Sequence, residues 1–152
     1  MLFYTIYTST PSGVLTNETL EKITEESIKW NKPHGITGML LGLEKKFVQF
    51  LEGEEEDVRE VFSMIKSDPR HTDISLKIQG YANERVFQDW SMGSWMLSNE
   101  KLSQLSGLDD LRNYLQGSSK MNSQATNLIN MMSNILKTWL IHEPERAKKL
   151  GL

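Results

Sequence analysis

The stretch KKFVQFLEGEEEDV, from Lys45 to Val58, carries the change from strand to helix on which the fold turns. Phe47, Val48, Phe50 and Leu51 are apolar on both faces of an extended chain, the pattern of a central strand covered on both sides. Gly53 ends that strand, and Glu54, Glu55, Glu56 and Asp57 open a helix, because carboxylates in a first turn complement the positive end of the helix dipole. The acidic run is therefore read as a helix start and not as a metal site. Val58, Val61, Phe62 and Ile65 follow at i, i+3, i+4 and i+7, one buried stripe. One residue in the strand is out of keeping. Gln49 carries two donors and two acceptor lone pairs into an apolar run, and each left unpaired would cost about 1–3 kcal/mol. Something must satisfy it.

Outward from this unit the order alternates. Leu2 to Ser9 reads as a first strand, and Pro11-Ser12-Gly13 as a loop. Thr16 is a fitting N-cap for a helix to about Trp30, stopped by Asn31-Lys32-Pro33-His34-Gly35. Ile36 to Leu43 and Lys46 to Glu52 form an antiparallel hairpin around Glu44-Lys45. The second helix ends before Asp68-Pro69, Ile74 to Tyr81 is a further strand, and Phe87 to Met96 a last, short one. The predicted class is α+β: a ferredoxin-like βαββαββ mixed sheet with two helices on one face and a C-terminal helical pair on the other.

Composition narrows the function. The 152 residues carry a net charge of −3, which gives no electrostatic reason to bind nucleic acid or an anionic membrane. With no cysteine there is no disulfide, thiolate metal site or thiol nucleophile. The apolar N-terminus MLFYTIYTS lacks a basic leader region and a cleavage site, and no run is long enough to span a bilayer, so the expectation is a cytoplasmic protein without a metal.

Polar residues on apolar stripes point to a ligand. Leu20, Ile23, Ser27 and Asn31 fall along one face of the first helix, so a hydroxyl and an amide continue a line that begins as core. Taken singly, Asn31 reads as a C-cap, Ser27 as bonding back to its own helix, and Tyr7 as a core aromatic. Helices packed over the sheet would point these three and Gln49 into one space, where a flat polar ligand with apolar flanks would satisfy them.

Tyr7-Thr8-Ser9, Asn31 to Gly38, Phe47 to Gly53, Asp68-Pro69-Arg70-His71 and Phe87 to Met92 together resemble, in order and spacing, the BLUF family, the sensors of blue light using FAD. The resemblance covers residues 2 to about 96, the photosensory domain; residues 97–152 are read as a helical extension or cap. It implies that FAD is the cofactor. Tyr7 would then be the electron and proton donor to the excited flavin, and Gln49 the amide bridging that phenol and the ring. Asn31 and Ser27 would be polar pocket residues, Ile23 and Ile65 the clamps on the ring from the two helices, and Asp68, Arg70 and His71 the segment bordering the ring and its tail. Trp90 and Met92 would be the switching pair on the last strand. Rotation or tautomerisation of Gln49 would change the hydrogen bond at the flavin carbonyl and produce a red-shifted, reversible state.

This sequence departs from the pattern at Trp30, a position usually polar in the family, and at Glu44-Lys45-Lys46, where an Asp-Gly turn is common. The indole is read as packing at the pocket rim rather than as a competing electron donor.

Beyond residue 97 the reading rests on pattern alone. Asn99 to Leu115 and Asn122 to about His142 read as helices, the second with a stripe through Leu128, Met131, Met132, Ile135, Leu136, Trp139 and Leu140 that would close the sheet's second face. The expected protein is not an enzyme, passes its signal to a separate partner protein, and forms a homo-oligomer. Two other classes are a flavin-free or photochemically silent interaction module, and a ferredoxin-like hydrolase of small acyl phosphates built on Arg70 and His71.

Overall fold

The computed structural model describes residues 1–43, 45–88, 91–97, 130, 134, 137 and 140–149. In chain order these give β1 (Leu2–Pro11), α1 (Asn17–Asn31), β2 (Thr37–Leu43), β3 (Lys46–Gly53), α2 (Glu55–Lys66), β4 (His71–Ala82), β5 (Gly93–Met96) and α3 (Pro144–Lys149). The sheet order is β4-β1-β3-β2-β5, antiparallel throughout except that β5 runs parallel to β2. This is the expected ferredoxin-like sheet, extended at one edge by β5.

β3 is central, as its apolar run requires. Its odd residues Phe47 and Leu51 join Phe3, Tyr7, Leu40, Leu20, Val58 and Val61 in the core beneath α1 and α2. Its even residues Val48 and Phe50 are buried on the opposite face with Ile6, Met39 and Leu41. There the Tyr4 and Phe50 rings stack at 5.8 Å, and Phe87 meets Phe50 edge-on at 5.1 Å. α1 starts where the sequence placed it: Thr16 Oγ1 accepts from Thr19 N at 3.1 Å. α2 has no side-chain cap, and its acidic first turn fills that place electrostatically. Gly38 lets β2 lie close on β3, for a Cβ there would stand 2.1 Å from the Phe50 carbonyl oxygen.

Three strand boundaries differ from the sequence reading by more than one residue. β1 runs on to Pro11 and β4 begins at His71, because the two strands keep pairing, through register shifts, as far as Pro11 opposite His71. The last strand is only Gly93–Met96: Asn31 Nδ2 donates to the Ser91 carbonyl at 2.7 Å, and pairing with β2 starts only at Gly93 opposite Met39. Met92 thus precedes the strand, although it keeps the parity of Ser94 on the helix face. Asn31 does not cap α1 with its side chain; the C-cap is Lys32.

The expected helix over 99–115 and most of the stripe on the second C-terminal helix lie outside the described residues, as do Glu44 and Trp90. Of that stripe Leu140 is described, and it is 42% exposed. A further short helix, α3, starts at Pro144, a residue suited to a first helical position because its missing N–H is not needed there.

Candidate functional site

A cavity of about 240 Å³ lies between α1, α2 and the central strands. All eight residues predicted to hold the cofactor line it: Ile23, Ser27 and Asn31 from α1, Gln49 from β3, Ile65 from α2, and Asp68, Arg70 and His71 from the α2–β4 connection and the start of β4. Tyr7 lines it too. Ile23 and Ile65, one on each helix, give it apolar walls on two sides.

The polar floor is built by sheet register. Tyr7 and Gln49 stand opposite one another across β1 and β3, and the Tyr7 hydroxyl donates to Gln49 Oε1. At the other end of the same amide, Gln49 Nε2 donates to Met92 Sδ at 3.5 Å. The amide is thereby satisfied at both ends, which answers the question raised by its place in an apolar strand. Met92 is fully buried and turned inward. Burial, with the Asp68 carboxylate adding to it, pushes the Tyr7 phenol far above its ordinary range and holds it neutral.

Asn31 is 1% exposed. Its Nδ2 is spent on the Ser91 carbonyl, while its Oδ1 is buried with no hydrogen-bond partner. A bare amide oxygen costs about 1–3 kcal/mol, so this one calls for an N–H donor in the cavity. A flavin ring carries such a donor beside its carbonyls, and its flat apolar body suits walls of isoleucine, so the residues present fit that group. Ser27 lines the cavity but donates its hydroxyl to the Ile23 carbonyl at 2.8 Å, which leaves only its acceptor capacity for a ligand.

At the mouth all three side-chain nitrogens of Arg70 have a carboxylate partner. Its Nε and Nη2 donate to Asp68 at 3.0 and 2.6 Å, and its Nη1 to Glu26 Oε2 at 2.6 Å. The guanidinium beside Asp68 lowers that carboxyl below its usual range. His71 Nε2 donates to the Ile65 carbonyl at 2.6 Å, which makes Nδ1 the acceptor for the Ser9 hydroxyl at 2.8 Å when the ring is neutral. Both members of the pair imagined for a hydrolase are thus committed to neighbours within the protein.

Trp30 lines the cavity and stacks on His34 at 3.8 Å, with His34 Nδ1 donating to the Trp30 carbonyl. Residues the sequence reading did not single out also contribute. Glu26 stands three residues after Ile23, at the edge of the polar stripe, and ties α1 to Arg70 across the mouth. Thr24, fully buried on α1, meets the Ser94 hydroxyl of β5 at 2.7 Å. Among the described residues no cluster of His, Asp or Glu side chains could hold a metal ion.

Comparison with known proteins agrees with this geometry. The chain is 31% identical over 110 residues to photoactivated adenylate cyclase subunit beta of Euglena gracilis, a match covering 72% of this chain and 13% of that protein. The chain thus spans only a small part of that relative's length. Among solved structures it is similar to the BLUF protein BlrB in its dark state, with a TM-score of 0.70, 27% identity, and 87% and 95% of the two chains covered. It is similar also to a bacterial light-regulated adenylyl cyclase, with a TM-score of 0.68, 35% identity, and 77% and 34% covered. The sequence profile of the sensors of blue light using FAD matches residues 2–93, from the first residue of β1 through the Tyr7–Gln49–Met92 contact to the first residue of β5, and the chain belongs to that family, BLUF.

Proposed function

We infer that this blue-light sensor holds FAD noncovalently in the cavity between α1 and α2 and reads light through Tyr7 and Gln49. The observation that carries the reading is the pairing of Tyr7 with Gln49 in the same cavity as the unpartnered Asn31 Oδ1. Ile23 and Ile65 clamp the ring and Asn31 accepts from it, while Asp68, Arg70 and His71 border it. FAD rather than a shorter flavin is supported by the groove beyond the mouth, where Lys22 and Pro69 continue the line of Glu26 and Arg70 and offer room for a nucleotide tail.

On absorbing blue light a bound flavin supplies a strong oxidant. Tyr7 is the residue placed to lose an electron, and its phenolic proton has one acceptor at hand, Gln49 Oε1. Before light the buried phenol keeps that proton; an oxidised phenol is far more acidic and releases it. Gln49 relays that proton, giving one up at its nitrogen end as it takes one at its oxygen, and is left turned or tautomerised between Tyr7 and Met92 Sδ once the electron and a proton have returned to Tyr7. Nothing has to move by more than a side-chain torsion. Met92, with Trp90 two residues before it, carries the change out of the cavity.

In this reading residues 2–96 are the photosensory domain and 97–152 a helical extension. The chain catalyses no reaction of its own, and its signal passes to a separate partner protein or through a change of homo-oligomer. Among the described residues no helix is long and apolar enough to cross a membrane, and a cytoplasmic setting is part of this reading.

The test is an absorption spectrum of freshly purified protein in the dark and after blue light, with the released flavin identified chromatographically. FAD and a reversible red shift are expected. Colourless protein that takes up no flavin on reconstitution would instead make the chain a flavin-free interaction module.

A further inference from the structure

Glu52 is a carboxylate only 1% exposed, three residues after Gln49 on β3 and on the opposite face of the sheet. Its Oε1 accepts from Phe87 N at 2.7 Å and from the Thr37 hydroxyl at 3.0 Å, and its Oε2 from Val86 N at 3.0 Å. Arg85 buttresses this set: Nη1 donates to Thr37 Oγ1 at 2.9 Å and Nη2 to the Gly35 carbonyl at 2.7 Å. A buried carboxylate persists only where donors fill its oxygens. Two of the three donors here are backbone N–H groups of the connection between β4 and β5. What the charge fixes is therefore a piece of chain.

That chain goes on to the photosensory cavity. Five residues after Val86, the Ser91 carbonyl is held by Asn31, and the next residue, Met92, takes the second end of the Gln49 amide. β3 thus grips the connection at two places, through Glu52 on one face and Gln49 on the other, and a strand paired on both sides is too stiff to let the two grips move independently. The sulfur of Met92 makes a weak and adaptable contact, while the contacts of Glu52 are charge-assisted. The stronger grip sets where the weaker one falls.

We propose that Glu52 is a positioning residue of the light response, pinning Val86 and Phe87 to β3 and so fixing how Met92 meets the Gln49 amide. This rests on the reading of Gln49 and Met92 given above. Glu52→Gln keeps the volume but sets an NH2 group against one of the two backbone N–H donors. That loosens the clamp without touching the cavity.

The experiment uses the full flavin-loaded chain with its methionine methyl groups labelled with carbon-13. In Glu52→Gln the flavin is retained, the dark-state Met92 methyl resonance moves, and thermal recovery from the red-shifted state runs about tenfold faster, the factor expected for a barrier lowered by one such contact. Thr37→Val, which leaves both backbone contacts in place, gives a smaller change of the same sign. An unmoved Met92 resonance and unchanged recovery in Glu52→Gln would overturn the proposal. If that variant does not fold, the same null result in both Thr37→Val and Arg85→Met would do so. Met92→Leu separates the two levels: altered recovery there with none in Glu52→Gln sinks the role of Glu52 alone, whereas unaltered recovery in Met92→Leu sinks the underlying reading of Met92.

Discussion

Tyr7 and Gln49 are direct partners across the β1–β3 ladder, and the phenol of one donates to the amide oxygen of the other. The contact is a consequence of register. Phe3 and Leu51 share their face and are buried in the core, so slipping either strand by one residue would turn an apolar side chain out of the core and one of this pair away from the cavity. The same alternation that buries the core therefore aligns the donor with its acceptor.

Removing either partner should abolish the photoresponse while leaving the binding site in place. Tyr7→Phe takes away the phenolic proton and keeps the ring that packs on Phe62 at 5.1 Å. Gln49→Leu takes away both amide ends at similar volume. Each variant is expected to purify with flavin and to show no red shift after blue light. A normal red shift in either would refute the pair as the seat of the response.

Asn31 should report on binding. If its buried Oδ1 accepts from the ring, Asn31→Ala forfeits a hydrogen bond of about 1–1.5 kcal/mol and weakens flavin binding by about tenfold, measurable by titrating apoprotein and following flavin fluorescence. The same substitution frees the Ser91 carbonyl, so the Met92 segment should lose amide protection as well. An unchanged dissociation constant would show that the ring finds its acceptor elsewhere.

The Tyr7 phenol gives an alkaline signature. Its folded pKa is raised above the ordinary value of 10.0, by burial first and then by Asp68. A group raised on folding contributes stability that is whole below its unfolded pKa and is lost as pH climbs toward the folded value. Stability should therefore fall from about pH 10 upward, and Tyr7→Phe should flatten that fall in thermal melts taken across the alkaline range. Ultraviolet titration of the folded protein near pH 10 should likewise show the same phenolate signal in wild type and Tyr7→Phe, because Tyr7 does not ionise there. A larger signal in wild type would mean that the phenol is reached by solvent.

Much of the fold was legible because its signals are local. The 3.6-residue stripe of α2 and the two-faced apolar run of β3 each follow from burial on known sides, and every cavity residue carried over from the resemblance does line one cavity. The partners of those residues were less legible. Glu52 reads on the page as the polar end of a strand, and its burial depends on two backbone groups more than thirty positions away. Ser27 combines both of its readings: it lines the cavity, and its hydroxyl bonds back to the Ile23 carbonyl one turn earlier, which claims the proton. The last strand is shorter than its sequence pattern because Phe87 and Met92 look like strand residues, whereas Phe87 packs on Phe50 from a loop and Asn31 holds the chain at Ser91. Apolar pattern shows that a residue is buried, not which neighbour buries it.

Transmission should leave by β5. This edge strand pairs with β2 alone in the sheet order, over four residues, and Leu97 N donates to the Gly42 carbonyl at 2.8 Å beyond its end. On the helix side it is fastened by the buried Thr24–Ser94 hydroxyl contact at 2.7 Å, with the Thr24 hydroxyl also within 2.7 Å of the Leu20 carbonyl. Met92, two residues before Ser94, carries the Gln49 contact, so a change at the amide pulls on a short edge strand. A small displacement becomes a signal only where two packings lie within a few kcal/mol of each other, and a short parallel edge strand is the element of this sheet that fits that condition. Hydrogen exchange compared between dark and illuminated protein should show altered protection from Gly93 to Leu97 and none along β1 and β3. Ser94→Ala, which removes the fastening to α1, should enlarge the difference while the flavin spectrum still shifts. Unaltered protection across residues 91–97 beside a normal red shift would mean that the light signal leaves the cavity through α1 or α2 instead.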